Sequence, residues 1–197
     1  LSKRAGDPSF EDLVKMGYLP QAIINYVALL GWNPGDEREF FLLPDLVEAF
    51  DMNRINKSNA AFSFDKLRWL NGEHIRSLSP EAFHEIALPY YPPSLASFDL
   101  RKLSDLIQVR TENLVEIPDL VAFFADLPEY EAALFNHQKS KSTMESSRMV
   151  IEAALPIFQS IEDWNNENLF TALKTFAQEQ GLKIGTVMWA IRTALSG

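Results

Sequence analysis

Apolar residues recur at helical spacing through most of the chain. A clear stripe, with apolar residues at i, i+4, i+7 and i+8, consists of Leu169, Leu173, Phe176 and Ala177. Alternation typical of a β-strand never continues for more than a few residues. No glycine occurs between Gly72 and Gly181, which suits helices because glycine costs about 1 kcal/mol there relative to alanine. The pattern predicts an all-α protein.

Capping residues predict where the helices begin and end. The predicted starts are at Ser9, Pro20, Ser79-Pro80, the capping box Ser142 to Glu145, and Asn165 or Asn166. Gly31 and Gly181 are expected to end two of these helices. A last helix is predicted from about Ile184 to Ala194.

Two segments interrupt the helical pattern. The stretch "LPYYPPSLASF" (88–98) carries three prolines in five residues, which favours an extended backbone and a domain boundary. A second boundary is predicted in the polar stretch "NHQKSKST" (136–143). With a short N-terminal segment, the predicted regions are 1–8, 9–90, 91–140 and 141–197.

Composition excludes several classes of protein. The 197 residues are 47% hydrophobic, enough for a real core, and no apolar run approaches the roughly 20 residues of a membrane span. There is no cysteine, which fits a reducing cytoplasm and excludes thiolate metal sites. The three histidines stand singly, so we expect no metal site. The tryptophans Trp32, Trp69, Trp164 and Trp189 have apolar neighbours and are expected in the core.

The charge is segregated along the chain. The net charge of −9 argues against a nonspecific nucleic-acid or DNA binder. Residues 111–138 contain six acids and no lysine or arginine, whereas basic residues cluster between positions 54 and 76. The candidate phosphate contacts in this cluster are Arg54, Lys57, Lys66, Arg68 and Arg76. The alternative is that they only solvate helix faces.

The string "LLGWNPGDEREFFLL" (29–43) interrupts an apolar run with two glycines, a proline and four charged residues. Gly31 should end one helix, Pro34-Gly35 should form a turn, and Asp36 or Glu37 should begin the next helix. An ordinary turn between helices remains an alternative for the charged residues.

The stretch from residue 18 to 76 resembles the stem-contact region of bacterial-type glutamyl-tRNA synthetases. The family pattern is a leucine-proline helix start, then LLGW-x-P-x-D-x-E, then phenylalanine-aspartate-x-x-K-L-x-W-x-N. The strings "YLP", "LLGWNPGD" and "KLRWLN" follow it in this order, with Arg38 at the last position of the second part and Ser63 at the aspartate position of the third. The resemblance continues at lower specificity through the whole chain. It implies a stem-contact helical domain at 9–90, followed by an α-helical anticodon-binding bundle in two subdomains, 91–140 and 141–197.

The N-terminal "LSKR" resembles the end of the KMSKS loop of class I synthetases. The resemblance implies that Ser2, Lys3 and Arg4 belong to an ATP-binding loop, with Lys3 near the phosphates. No HxGH signature and no βαβ pattern precede it. We therefore expect a C-terminal fragment that is not catalytic by itself and that also stops short of the family's last helices.

Arg110 is the candidate anticodon-binding residue. Leu100, Leu103, Leu106 and Ile107 are predicted to share a helical stripe, and Arg110 continues it. Physically, an arginine there could simply offset the helix dipole. The resemblance implies that Arg110, in an R-x-x-x-L context ending at Leu114, reads the third anticodon base.

Two functions remain open from the sequence. The resemblance implies recognition of tRNA(Glu) as part of a glutamate–tRNA ligase, which uses ATP with magnesium, with no cofactor in this chain. We expect a monomer that binds neither membrane nor DNA. The alternative is a helical protein-interaction module without RNA binding, which composition and acidity alone would favour.

Overall fold

A computed structural model describes residues 8–56, 61–127 and 129–197. Within these ranges the chain forms ten α-helices and no sheet, as the glycine distribution predicted. The helices are α1 Phe10–Lys15, α2 Pro20–Gly31, α3 Leu43–Ala49, α4 Phe64–Ser77, α5 Pro80–Ala87, α6 Leu100–Ile107, α7 Ile117–Ala125, α8 Met144–Ser160, α9 Asn166–Glu179 and α10 Ile184–Ser196. Short 3-10 turns lie at Met52–Arg54, Leu88–Tyr90, Pro93–Leu95, Gln108–Arg110, Leu114–Glu116 and Ala132–Phe135.

The chain divides into two compact units, Leu1–Ala122 and Phe123–Gly197. In the first unit, α1, α2 and α4 share a core of Leu13, Tyr18, Ile23, Tyr26, Leu67 and Leu70. In the second unit, α8, α9 and α10 share a core of Val150, Leu173, Phe176, Ala177, Val187 and Ala190. Burying each large aliphatic side chain contributes about 1.5–3 kcal/mol.

Most helix ends follow the caps that the sequence predicted. Ser9 and Asp12 form a reciprocal capping box at α1, Ser79 caps α5, and Asn165 caps α9. The predicted box from Ser142 to Glu145 is wrong by one residue. Thr143 is the N-cap of α8, and its box partner is Ser146. Ser142 instead pairs its backbone with His137 across a short turn.

The proline-rich stretch 88–98 is not the extended linker that we predicted. It forms two 3-10 turns, and Leu95, the last residue of the second turn, is fully buried. The hydroxyl of Tyr91 lies 2.9 Å from the hydroxyl oxygen of Ser104 in α6, which fixes the stretch against that helix. Neither predicted boundary, at 90/91 or at 140/141, coincides with the division at 122/123. The functional regions 9–90, 91–140 and 141–197 remain predictions.

Candidate nucleic-acid interface

The joint after α2, residues 32–42, is an extended strap and not a tight interhelical turn. Gly31 is the last helical residue, and Trp32 turns the backbone to an extended conformation (φ −144°, ψ 152°). Trp32 and Ile55 form an antiparallel bridge. The side-chain oxygen of Asn33 accepts the Gly35 N–H at 2.7 Å, and Gly35 has φ +85°, which favours glycine. The predicted turn at Pro34-Gly35 is confirmed.

The charged residues after that turn do not start a helix, so this part of the prediction is wrong. Asp36 accepts hydrogen bonds from the Arg38 N–H at 3.0 Å and from its Nε at 2.7 Å. These bonds and the Arg38 charge hold the pKa of the Asp36 carboxyl below its usual range. α3 begins only at Leu43. The acidic group therefore stabilises a turn in the strap rather than a helix terminus.

Asn25 of α2 fastens the strap to the core. Its side chain is fully buried; the amide nitrogen donates to the Glu39 carbonyl at 3.0 Å, and the oxygen accepts the Phe41 N–H at 2.8 Å. The same oxygen lies 3.2 Å from Nε2 of His74. Because that oxygen can only accept, Nε2 of His74 must carry the proton. Burial lowers the pKa of His74, so the ring stays neutral in the folded protein.

Asn71 and Gln108 make a second set of buried polar contacts. The Asn71 oxygen accepts the Leu19 N–H at 2.8 Å, and its amide donates to the Glu112 carbonyl at 2.7 Å. Gln108 donates to the carbonyls of Ile75 and Leu78 at the end of α4, at 3.1 and 2.9 Å. Both side chains join α4 to residues 108–112. Composition and local pattern gave no sign of these contacts, since their partners are 30 to 52 residues apart.

Several predicted site residues fall outside the described part of the chain. Ser2, Lys3 and Arg4 of the KMSKS-like segment lie there, and so does Lys57. Their assignments stay predictions, and no step of adenylate chemistry is derived from them.

Arg54 lies beside the strap. Its guanidinium donates to the Pro34 carbonyl, and its Nε is 3.7 Å from the Asp51 carboxylate. A β-carbon on Gly35 would come within 2.3 Å of the Arg54 Nη1. Arg54 is exposed, and exposed ion pairs contribute only about 0–1 kcal/mol. A phosphate could therefore replace Asp51 at little cost.

The other predicted phosphate contacts are engaged with carboxylates. Lys66 is paired with Glu39 of the strap, and Arg76 pairs with Glu73 at 2.8 Å. Arg68 lies between two acids, 2.8 Å from Glu112 and 2.5 Å from Glu116. The segregation of charge along the sequence is thus partly cancelled in space, because Glu112 and Glu116 of the acidic stretch pair with Arg68 of α4.

In the ion-pair cluster of Arg68, Glu112 and Glu116, the environment disfavours the charged form of Glu116. Burial raises the pKa of Glu116, and the neighbouring Glu112 charge adds to the rise, despite the Arg68 contact. The pKa of Arg68 is raised by its hydrogen bond to Glu112. Both pKa values are raised, which disfavours the charged form of Glu116 but favours that of Arg68, because Glu116 is the more buried partner and has the larger cost of desolvation.

Arg110 is exposed at the end of the 3-10 turn that follows α6. No described carboxylate lies within ion-pair distance of it. The predicted stripe is only partly correct, because Leu103 and Ile107 are buried but Leu106 is 58% exposed. Arg110 itself is exposed, three residues beyond the buried Ile107.

The tryptophans are less uniformly buried than predicted. Trp32 is buried and donates its indole N–H to the Asp51 carbonyl at 3.1 Å. Trp69 is 39% exposed, and Lys66 lies over its ring at 4.3 Å. Trp164 is 62% exposed, and Trp189 is half-buried, stacked on His137. The core assignments of Trp69 and Trp164 are wrong. Lys66 already covers Trp69, so that ring is not an open stacking surface.

An open apolar groove of about 700 Å³ lies on the second unit. Its walls include Phe158, Trp164, Phe170, Met188 and Leu195. With so few polar groups, it lacks the donors that hold phosphate or a base edge. In the described ranges no group of acids and histidines could hold a metal ion, and no helix there has the length and apolarity to cross a bilayer.

Comparison with known proteins points to one family. A model of tRNA synthetases class I (E and Q), catalytic domain, matches residues 1–69, and a model of an anticodon binding domain matches residues 82–197. The chain is 50% identical over 198 residues to a glutamate–tRNA ligase of Clostridium tetani and 46% identical over 202 residues to one of Clostridium novyi. All of this chain is covered, but it spans only about two fifths of these relatives, 41% and 42%.

Solved structures agree with the sequence comparisons. The glutamate tRNA ligase of Elizabethkingia meningosepticum, in complex with its amino acid, matches with a TM-score of 0.69 at 26% identity. The glutamate-tRNA synthetase of Elizabethkingia anophelis matches with a TM-score of 0.69 at 27% identity. Each match covers 98% of this chain and 38% of the other.

Proposed function

We propose a function for this chain on the basis of its family, because it belongs to the anticodon binding domain family and, over its whole length, resembles the glutamate–tRNA ligases to which it is related. The chain recognises tRNA(Glu), by contact with the stem and by binding of the anticodon. It does so as part of an enzyme that joins glutamate to tRNA(Glu) with ATP and magnesium. The observation that carries this proposal is the match of both family models, in order, along one chain.

The strap supports the stem-contact part of the proposal. It holds Arg54 at an exposed position through the Pro34 carbonyl, and its fold is fixed from inside by Asn25. A cationic side chain that is already held in place loses little conformational entropy when it binds a phosphate. We assign the phosphate contacts to Arg54 and Lys57 first.

Lys66, Arg68 and Arg76 are weaker candidates, because each must leave a carboxylate before it can bind phosphate. Ser2, Lys3 and Arg4 are proposed as the ATP-binding residues of the complete enzyme.

We assign anticodon reading to Arg110. Its exposure and its lack of a described carboxylate partner leave the planar guanidinium free to donate two hydrogen bonds to an unstacked base. The complete enzyme is placed in the cytoplasm, where its tRNA is, and is expected to be a monomer.

A binding experiment tests the function as a whole. Purified chain should shift tRNA(Glu) in a gel in a salt-dependent manner, and an unrelated RNA of equal length should not shift. Arg54→Ala with Lys57→Ala should lower the slope of log affinity against log salt by up to about two units, roughly one for each lost phosphate. Arg148→Ala, on an exposed face of α8 in the second unit, is the matched control. If neither RNA shifted, a helical protein-interaction module would be the better interpretation, and equal shifts of both RNAs would refute specific recognition of tRNA(Glu).

The anticodon assignment has its own test. Arg110→Gln, introduced into the full-length enzyme, should reduce discrimination between tRNAs that differ only at the third anticodon base. The expected loss is about 1–3 kcal/mol on the correct base. An unchanged preference would show that Arg110 serves only as a cation at a helix end.

A further inference from the structure

Three lysines of the second unit carry charges that no neighbouring acid neutralises. Lys139, Lys141 and Lys183 are exposed. Among the described residues, no carboxylate forms an ion pair with any of them. This contrasts with the basic residues of α4, whose charges are matched by acids.

Backbone and side-chain contacts bring together the two segments that carry the three lysines. Lys139 and Lys141 flank Ser140 in a turn that is closed by a backbone bridge between His137 and Ser142, with bonds of 3.0 and 3.1 Å. The Ser140 carbonyl accepts a hydrogen bond from the hydroxyl of Thr186 in α10.

Lys183 immediately precedes α10 and lies one helical turn before Thr186, whose N–H donates to the Lys183 carbonyl at 2.9 Å. The turn that carries two lysines is therefore fastened beside the third.

The support beneath this surface is rigid. The His137 ring stacks on Trp189, with centroids 3.7 Å apart and planes 5° from parallel. Trp189 in turn donates its indole N–H to the Leu134 carbonyl at 2.9 Å. Lys141 adopts φ 51°, in the left-handed region, which is unfavourable for a residue with a β-carbon. The closed turn holds Lys141 in this conformation.

We propose that Lys139, Lys141 and Lys183 form a contact surface for the phosphate backbone of RNA. The proposal rests on the proposed function, since it assigns to the second unit a grip on the same tRNA. Phosphates in series suit a row of separate lysine charges, because a lysine binds phosphate as a point charge. Each contact also releases counterions and so makes affinity depend on salt.

A salt titration tests this surface. The triple variant Lys139→Ala, Lys141→Ala, Lys183→Ala should bind tRNA(Glu) more weakly than the unaltered chain. Its slope of log affinity against log salt should be smaller by about two units, at roughly 0.7 for each contact with single-stranded RNA. Lys174→Ala is the matched control, since Lys174 is an exposed lysine of α9 in the same unit without a described ion pair. It should leave both affinity and slope unchanged.

The possible results separate this proposal from the proposed function. Specific tRNA(Glu) binding that the triple variant retains with the same slope would overturn the lysine surface alone. A decrease in slope for Lys174→Ala that reached a third of the triple variant's decrease would also overturn it, because every lysine would then count equally and the effect would be one of net charge. If the triple change weakened binding of poly-L-glutamate but not of tRNA, the surface would serve an acidic protein instead. If the unaltered chain bound no RNA at low salt, both proposals would be wrong.

Discussion

Replacing Asn25 with alanine should loosen the strap that follows α2. The substitution removes both hydrogen bonds that the Asn25 side chain makes to the strap: its amide no longer donates to the Glu39 carbonyl, and its oxygen no longer accepts the Phe41 N–H. It also removes the acceptor that faces Nε2 of His74. Alanine cannot replace any of these contacts. Because Phe41 is buried, its N–H cannot form a hydrogen bond to solvent water instead.

The magnitude follows from the groups left behind. A buried donor without a partner costs about 1–3 kcal/mol, so the Phe41 N–H and the His74 Nε2–H together cost about 2–6 kcal/mol. The Glu39 carbonyl is nearer to solvent and adds less. Alanine regains roughly 0.5 kcal/mol through its higher helix propensity. The net loss in the free energy of unfolding should be about 2–6 kcal/mol.

Two measurements check this prediction. Urea titration gives the change in unfolding free energy, and amide hydrogen exchange at Phe41 reports the strap directly. Gln21→Ala, at an exposed position on the same helix, is the matched control and should change stability by less than about 0.5 kcal/mol. If Asn25→Ala cost less than about 1 kcal/mol, or left exchange at Phe41 unchanged, the strap would not depend on Asn25.

Two further predictions concern pH and backbone conformation. The pKa of His74 is lowered by burial from 6.5, so the unfolded chain takes up a proton before the folded chain does as the pH falls. The stability present above about pH 6.5 should therefore be lost below it, by up to about 1.4 kcal/mol per pH unit. His74→Gln should remove this component from urea titrations between pH 7.5 and 5, and a variant with the same pH profile as the unaltered chain would refute the assignment. Gly17→Ala should destabilise the first unit by about 2–4 kcal/mol in a urea titration, because φ is +88° and a β-carbon would lie 2.1 Å from the Asn113 side-chain oxygen. Gly31→Ala should be neutral or stabilising, because a β-carbon there would have no neighbouring atom within 4 Å. Equal effects of the two substitutions on stability would contradict this reasoning.

The elements that the sequence predicted well are those determined by neighbours in the chain. Ser9, Ser79 and Asn165 cap their helices because a short polar side chain reaches a backbone N–H two or three residues ahead. Where two such residues are adjacent, as at Ser142 and Thr143, local chemistry does not select between them. In the structure Ser142 pairs its backbone with His137, five positions earlier, and Thr143 is the N-cap.

The candidate interface was less predictable, because ion pairing depends on distant residues. Arg68 meets Glu112, 44 positions away, and nothing near either residue indicates the contact. The same limit explains the missed roles of Asn25 and Asn71. An asparagine in an apolar helix is a usable signal of a buried polar contact, but its partners are fixed only by the fold.

The contacts of Asn71, Gln108 and Gly17 have a consequence for exchanging parts between related enzymes. The two family models meet between residues 69 and 82, which suggests a natural point for a crossover. Yet Asn71 and Gln108 bond across that point, and the Leu114 N–H donates to the Gly17 carbonyl at 3.3 Å. A chimera joined there would mix two halves of one core. A crossover near Ala122 and Phe123 would keep each core from a single parent, and such hybrids should be recovered more often as folded protein.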